Sequence, residues 1–589
     1  MLLFTRSRQL PDTDRDTTEE HPDPDTPVPG AEEAGDPARG LRARYPAAAR
    51  ALAHTTTVLA ALLVLAALLL PDQLTQLTPG AFVRIPVEGI FGAAVLLLLP
   101  PRPRRIAAVL AGAGLGLLTL LNCLDMGFYT VLDRPFDPVL DWSLFGDGVS
   151  FLQDSAGRAG AMATVIGVVL LVLLVMVSMT LSVVRLSRLM GRHSAVATRG
   201  TLVLGTVWAL CTALGAQLAG VPVSASSAAG LAEARVDRVR ASFRDEQVFA
   251  KEAAHDSFRG TPSDRLLTAL RGKDVIFTFI ESYGRSAIED PRMSAPVRSA
   301  LADGNRKLDK AGFHAESAWL TSSTAGGGSW LAHSTFMSGL WITNQQRYRT
   351  VTSSDRMSLT GAFRKTHAWR TVGIMPGVSR SWPEASFYGL DTVYDSRNLG
   401  YHGPMFSWSR MPDQYSLASF ERLQHGKPGK KPLLSEIILT SSHNPWAPLP
   451  KMIGWDQVGD GSVYDAIQKA GKKPADVWKD PAQVRTEYGH AIQYSLNSLT
   501  SYLAKYGKKN TVLVFLGDHQ PVTTVTGENA SHDVPVAIVA RDQAVLDRIK
   551  GWGWHEGLQP GPTSPVWRMD TFRNRFLTSY SPRSGSAHK

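Results

Sequence analysis

Apolar residues in this chain fall into two regimes. Before residue 225 they form five long runs, at 51–70, 81–99, 106–126, 161–184 and 201–223. Beyond it they form short runs set between polar and glycine-containing stretches. Each long run is near the roughly 20 residues that carry a helix across about 30 Å of hydrocarbon, so five membrane-spanning helices are expected. The second run contains Arg84 and Glu88, one helical turn apart near one end, where they can pair or snorkel. The first run begins too late and is too long for a cleavable signal peptide.

In the second regime, three runs rich in β-branched and aromatic residues read as buried strands: Asp274–Ile280, Leu433–Leu439 and 511–516. Each leads into a polar group. The first meets Glu281, the second meets Thr440-Ser-Ser-His443, and the third meets Gly517-Asp518-His519-Gln520. Strand ends are where open α/β sheets bind ligands, and carboxylate oxygens with imidazole nitrogens are metal ligands. Three such ends point to one metal-centred site.

Charge gives the chain a direction. Arg39, Arg42, Arg44 and Arg50 precede the first run; Arg102, Arg104 and Arg105 follow the second; Arg185, Arg188, Arg192 and Arg199 follow the fourth. The remaining loops are arginine-poor, and the long one at 127–160 carries Asp133, Asp137, Asp141, Asp147 and Asp154. Positive-inside reasoning puts the N-terminus in the cytoplasm, and five crossings put everything after residue 223 outside. The expected organisation is a disordered cytoplasmic tail at 1–49, a five-helix transmembrane domain at 50–223 and a helical linker at 224–272. An extracytoplasmic α/β catalytic domain at 273–578 and a loose end at 579–589 complete it.

Loop arginines account for part of the net charge of +10, and no basic tract suggests nucleic-acid binding. The two cysteines, Cys123 and Cys211, lie in or beside apolar runs, which excludes a disulfide scaffold and a cysteine-ligated zinc site.

Between the first two strand ends lies Thr321-Ser-Ser-Thr-Ala-Gly-Gly-Gly-Ser329-Trp-Leu-Ala-His333. A small-residue loop opening into a helix offers N–H groups and a positive dipole end to an anion. A serine there is either a helix cap or, beside a metal, an oxygen nucleophile. Together, Glu281, the loop ending at Ser329, His443 in Ser-Ser-His-Asn-Pro-Trp446 and Gly-Asp518-His519 resemble the alkaline phosphatase/sulfatase superfamily. More narrowly, they resemble its lipoteichoic acid synthase-like and phosphoethanolamine transferase-like membrane enzymes.

The resemblance implies an N-terminal five-helix transmembrane bundle and an extracytoplasmic α/β domain with a mixed, largely parallel sheet flanked by helices. It implies one divalent metal ion (Mn, Mg or Zn) on Glu281, Asp518, His519 and Ser329. Ser329 would also be the nucleophile, with His443 at the substrate phosphate or leaving group and Gly328 and Trp330 beside the substrate. Trp382 matches a headgroup-binding position, but the arginine expected two residues on is Glu384, which counts against phosphoglycerol; Arg380 lies on the other side. Formylglycine chemistry needs x-Pro-x-Arg after the reactive residue, and Trp-Leu-Ala-His333 is not that.

Other residues have two readings each. His333, one turn along from Ser329, either packs as a structural histidine or reaches the site. His532 either serves a second metal or the substrate, or has no role there. Trp330 and Trp446 are expected to be exposed near the site, as pocket walls or as packing. Asp391 suits a turn and His490 a helix surface. The function implied is a membrane-anchored phosphotransferase moving a phospho-headgroup from a lipid donor to a cell-envelope glycan or polymer through a phosphoseryl intermediate. The alternatives are an extracytoplasmic phosphoesterase and a catalytically silent envelope-binding protein. The expected location is a bacterial cytoplasmic membrane.

Overall fold

A computed structural model describes residues 45–582 except 133, 219–220, 223, 226 and 528. The expectations for the N-terminal tail up to residue 44 (with Arg39, Arg42 and Arg44), for Asp133 and for 583–589 fall outside these residues. Apolar helices occupy Pro46–Leu69 (α1), Val87–Leu98 (α2), Pro101–Leu132 (α3), Trp142–Arg192 (α4) and Ser194–Ala213 (α5). Helix α4 bends at Gly157, whose φ is 73°. Among the described residues, four stretches are long and apolar enough to cross a membrane: α1, α3, Gly157–Arg192 of α4, and α5. Leu170, Leu171 and Leu174 of α4 keep 61, 58 and 64% of their surface exposed, as lipid-facing side chains do.

The second and fifth expected spans are corrected. Pro79 and Pro86 interrupt the second, because proline lacks the N–H and disfavours helix in the residue before it. A 3-10 turn covers Pro79–Val83, Ile85–Pro86 pairs with Ser224–Ala225, and α2 has only 12 residues, about 18 Å. Arg84 therefore sits on extended backbone, and Glu88, in the first turn of α2, accepts from the Ala229 N–H at 3.0 Å instead of pairing with it. The fifth helix begins seven residues before position 201 and stops at Ala213, where Gly215 takes φ 61°.

The two ends of the bundle differ in chemistry. Arg104 donates to the carbonyls of Leu97 and Leu99 at 3.2 and 2.9 Å and lies against Gly191, so the arginines at 102–105 and 185–192 gather at one end. At the other end, Asn122 donates to the Leu70 carbonyl at 2.8 Å. There the linker helix Ser227–Ala254 (α6) is clamped to α3. Arg235 donates to Asn122 Oδ1 at 2.6 Å and to Asp125 Oδ2 at 2.7 Å, and both of its partners are buried. Asp125 also accepts from the Phe136 N–H at 2.9 Å, and Ser242 donates to Asp137 at 2.6 Å.

Nine strands form the sheet of the second half: β1 Asp274–Ile280, β2 His314–Thr321, β3 Arg370–Met375, β4 Thr392–Asp395, β5 Leu433–Leu439, β6 Thr511–Gly517, β7 Asp533–Ala540, β8 His555–Glu556 and β9 Val566–Arg568. The spatial order is β8-β2-β7-β6-β1-β5-β3-β4, with β9 on β2. From β6 to β4 every pairing is parallel; β7 runs antiparallel to β6 and to β2. This is the expected mixed, largely parallel sheet. Both faces are covered, which explains why the central strands are apolar at nearly every position. Ile276, Ile437 and Phe515 pack toward helices Ser294–Lys310 (α7) and Pro481–Tyr506. Phe277, Leu434 and Val514 pack toward Ser329–Ser338 (α8) and Thr571–Tyr580.

The chain end is also corrected. Tyr580 is buried and its hydroxyl donates to the Val545 carbonyl at 3.1 Å, so Ser579 and Tyr580 belong to the packed domain.

Removing one member of a buried ion pair leaves the other uncompensated, at a cost of about 3–5 kcal/mol, whereas replacing both by apolar groups is close to neutral. Arg235→Met is therefore expected to lower stability by about that amount, and Arg235→Met with Asp125→Leu to recover most of it. Thermal unfolding in detergent, with trypsin cleavage within α6 as a second readout, checks both.

Candidate active site

Three neighbouring parallel strands, β6, β1 and β5, all end at the same edge of the sheet. Gly517 pairs with Ile280, and Ile280 with Leu439, so Asp518, Glu281 and Thr440 begin level with one another. The loops are pressed together. A Cβ on Gly517 would lie 1.8 Å from the Tyr283 carbonyl oxygen, so only glycine fits before Asp518. Ser282 takes φ 57°, unusual for a residue with a side chain, and its N–H donates to Asp518 Oδ1 at 2.8 Å.

Buried hydroxyls fasten the backbone behind the acids. Ser322 donates to the Asp518 carbonyl and Ser442 to the Glu281 carbonyl, each at 2.6 Å, and Tyr488 donates to the Ser282 carbonyl at 2.8 Å.

The ligand atoms of Glu281, Asp518 and His519 lie within 4.8 Å of one another, and all three residues are buried. Ser329 is the first residue of α8. Its Oγ donates to Glu281 Oε2 at 2.9 Å and lies 3.1 Å from His519 Nε2. His519 Nε2 is also 3.3 Å from Glu281 Oε1 and 3.8 Å from Asp518 Oδ1. Its Nδ1 donates to the Gln520 carbonyl at 2.7 Å, which fixes the ring and turns Nε2 toward the acids. His443 is held alike, with Nδ1 donating to the Asn444 carbonyl at 2.6 Å and the ring stacked on Trp408 at 3.8 Å.

Two buried carboxylates need positive charge beside them. Burial by itself raises a carboxyl, yet the His519 imidazole, the charge of His443 and the Ser329 hydroxyl hold Glu281 well below the usual carboxylate range. Burial opposes charge on His519, but Asp518 and then Glu281 push it up to about 9. A donor set of two carboxylates, one imidazole and one hydroxyl, at these separations, suits a divalent cation of the Mn, Mg or Zn kind, which would take the place of the proton on His519.

The other candidates sort differently. His333, on α8, is buried, lies 3.3 Å from Asp518 Oδ2 and packs on Phe279, so it both contacts a ligand and fills the core. Among the described residues the cluster of ligand atoms does not include His532, whose carbonyl accepts from the Ser322 N–H at 2.9 Å. Trp330 is partly exposed and donates to Gln345 at 2.8 Å. Trp382 packs on Tyr388 and donates to Tyr348 at 3.4 Å. Trp446 is corrected. It is buried, donates to the Ser442 carbonyl at 2.6 Å and stacks on Trp478, so it supports the His443 loop instead of walling a pocket. Asp391 ties its turn to Thr371, and His490 is exposed on its helix.

Sequence reading missed Trp408, Ser322, Ser442 and Tyr488. The two serines lie inside the strand-end motifs without a role of their own there, the tryptophan and tyrosine lie outside them, and only the packed loops reveal what they hold.

No protein-family model matches this chain, and no curated sequence matches it closely. Solved structures do resemble it. The lipoteichoic acid synthase LtaP from Listeria monocytogenes is 14% identical over 57% of this chain and 78% of that one, with a TM-score of 0.37. The C-terminal periplasmic domain of EptC from Escherichia coli is 14% identical over 51% and 80%, with a TM-score of 0.32. The Streptococcus pyogenes phosphoglycerol transferase GacH, solved with sn-glycerol-1-phosphate, is 12% identical over 57% and 90%, with a TM-score of 0.32.

Purified full-length protein equilibrated with Mn, Mg or Zn is expected to retain divalent metal, and Glu281→Ala or Asp518→Ala to lose it. His333→Gln, which weakens the contact to Asp518 while keeping most of the core volume filled, is expected to weaken affinity by roughly 10–100-fold. Elemental analysis after gel filtration decides. Equal metal in wild type and Asp518→Ala would remove the metal centre.

Proposed function

We propose that this chain is a multi-pass membrane phosphotransferase whose catalytic domain lies outside a bacterial cytoplasmic membrane. Its donor is a phospholipid or lipid-linked phosphodiester, and its acceptor a hydroxyl of a cell-envelope glycan or polymer. The observation that carries this reading is the Ser329 hydroxyl, 2.9 Å from Glu281 and 3.1 Å from His519 at the start of a helix. A capping serine bonds backbone N–H groups; this one bonds two prospective metal ligands. The side of the membrane is supported by the arginine-rich connections gathering at the end of the bundle away from α6. With α2 too short to span unaided, crossing there requires local thinning of the bilayer or shielding by α5.

A bound divalent cation would supply the charge that lowers the hydroxyl pKa and offsets the phosphoryl oxygens. Glu281, Asp518 and His519 would hold it, and His333 and the Ser282 N–H keep Asp518 oriented. The N-terminus of α8 favours the phosphate by its dipole. Ser329 Oγ, its hydroxyl proton released to solvent, then forms a bond to phosphorus while the donor's ester P–O bond in line with it breaks. His443, as imidazolium, gives its Nε2 proton to the departing alcohol. In the return step the neutral His443 takes the acceptor's hydroxyl proton, the acceptor oxygen bonds to phosphorus, and Ser329 Oγ leaves. Positioning and electrostatics carry most of the acceleration in such transfers.

Ser329→Ala is expected to lose turnover by roughly a thousandfold or more while retaining metal. His443→Ala is expected to slow it by roughly 10²–10⁴-fold. Mass spectrometry of the Ser329 peptide after incubation with envelope lipids should show a phosphodiester adduct whose mass names the headgroup. Full turnover in Ser329→Ala would end the covalent mechanism.

A further inference from the structure

The nucleophile loop does not stand clear of the membrane helices. A Cβ on Gly326, whose φ is 72°, would lie 2.3 Å from the Val131 carbonyl, and one on Gly327 would lie 3.3 Å from Leu132 Cδ2. The last turn of α3 is thus seated on the loop that ends in Ser329. Along this seam runs a groove of about 140 Å³, lined from the membrane side by Leu132 and Leu144 and from the catalytic side by Thr324, Gly328, Trp330 and Leu331. That is several times the ~30 Å³ share of one water, room for a few heavy atoms but not for a whole lipid.

Depth fixes what such a groove meets. The uncharged stretch of α3, 106–124, is 19 residues long. At 1.5 Å per residue it spans about 28 Å, close to the hydrocarbon thickness. Asp125 begins the polar zone, and Leu132 stands eight residues, about 12 Å, beyond the edge of that stretch. Headgroup layers are roughly 5–8 Å thick on each side, so the groove opens a few Å above the lipid headgroups.

The segment around it has the composition of a membrane interface. Phe128, Phe136, Trp142 and Phe145 form a chain of ring contacts 5.1–6.3 Å apart, and Trp142 keeps 65% of its surface exposed. Beside them Arg134 is held in a two-point ion pair by the buried Asp141, both contacts at 2.7 Å.

We propose that this groove is a lipid-binding site. It takes the few glycerol and ester carbons next to the phosphate of the phospholipid substrate, drawn a few Å above the headgroup layer while the acyl chains remain in the bilayer, so that the phosphate reaches Ser329 across Gly328. The leucines and Trp330 suit those carbons, Arg134, Gln345 and His532 add polar groups to the same lining, and Gly328 is both a wall of the groove and the residue before the nucleophile. The proposal rests on the lipid-donor reading above and adds where the lipid is held and by which side chains.

The test uses the full-length protein in vesicles of phosphatidylethanolamine and phosphatidylglycerol, doped with a phospholipid carrying a diazirine near its ester carbonyls. Ser329→Ala protein is used as well, so that binding is read without turnover. Cross-links are expected on peptides covering 130–146 and 324–331. They are expected to be competed by unlabelled phospholipid and to fall at least tenfold in Leu144→Trp, which fills the groove from the membrane side. In the wild-type background, Leu144→Trp is also expected to lower kcat/KM for the lipid relative to a water-soluble phosphodiester at least tenfold, through KM. Labelling confined to 106–124, or unchanged by Leu144→Trp, overturns the site. Groove labelling in a protein that turns over neither substrate would sustain the lipid site and remove the transferase reading instead.

Discussion

Two carboxylates with almost no solvent, Glu281 and Asp518, face one imidazole and one hydroxyl, and everything else at this edge of the sheet answers to that fact. Buried like charges repel and lose hydration, so such a cluster persists only where positive charge joins it. The imidazole supplies some by holding its proton to about pH 9, and a divalent cation in place of that proton would supply more. The Ser329 hydroxyl inherits the consequence. It is the neutral member of a strongly charged set, and its oxygen is the one a cation would make nucleophilic.

Holding that cluster is a backbone task as much as a side-chain one. The strand register brings the loops carrying Glu281, Asp518 with His519, and His443 level, and glycine at 517 lets the first two touch. Buried hydroxyls of Ser322, Ser442 and Tyr488 then tie the loop carbonyls, leaving the acid and imidazole side chains few alternative directions. Ser282, at positive φ, is where strain is stored, and its N–H is spent on Asp518. The site is pre-organised by its surroundings, as electrostatic catalysis requires.

The membrane helices do more than anchor this domain. Arg235 joins the linker to α3 through Asn122 and Asp125, and the end of the same helix lies on the nucleophile loop. The same helix therefore contacts both the linker and the loop that ends in Ser329, a route by which the membrane segment would set the height of that loop. Polar residues near the end of a membrane helix, at first sight a cost, are the joint that sets this height.

The strands and the polar groups that end them were legible because burial on both faces makes a strand apolar throughout, and because an acid or histidine directly after such a strand has few reasons to be there. The membrane helices were legible by length, except where proline and glycine cut them short at 79–86 and 215. What the chain alone determined was the inventory: which segments are apolar enough to bury and which polar groups end them, since both follow from local composition and period. What only the tertiary structure decided was adjacency. That Trp446 packs inside, that Trp408 covers His443, that His333 meets Asp518 and that Val131 rests on Gly326 depends on contacts between residues tens to hundreds of positions apart. Such contacts arise from how layers stack, and no local pattern encodes them.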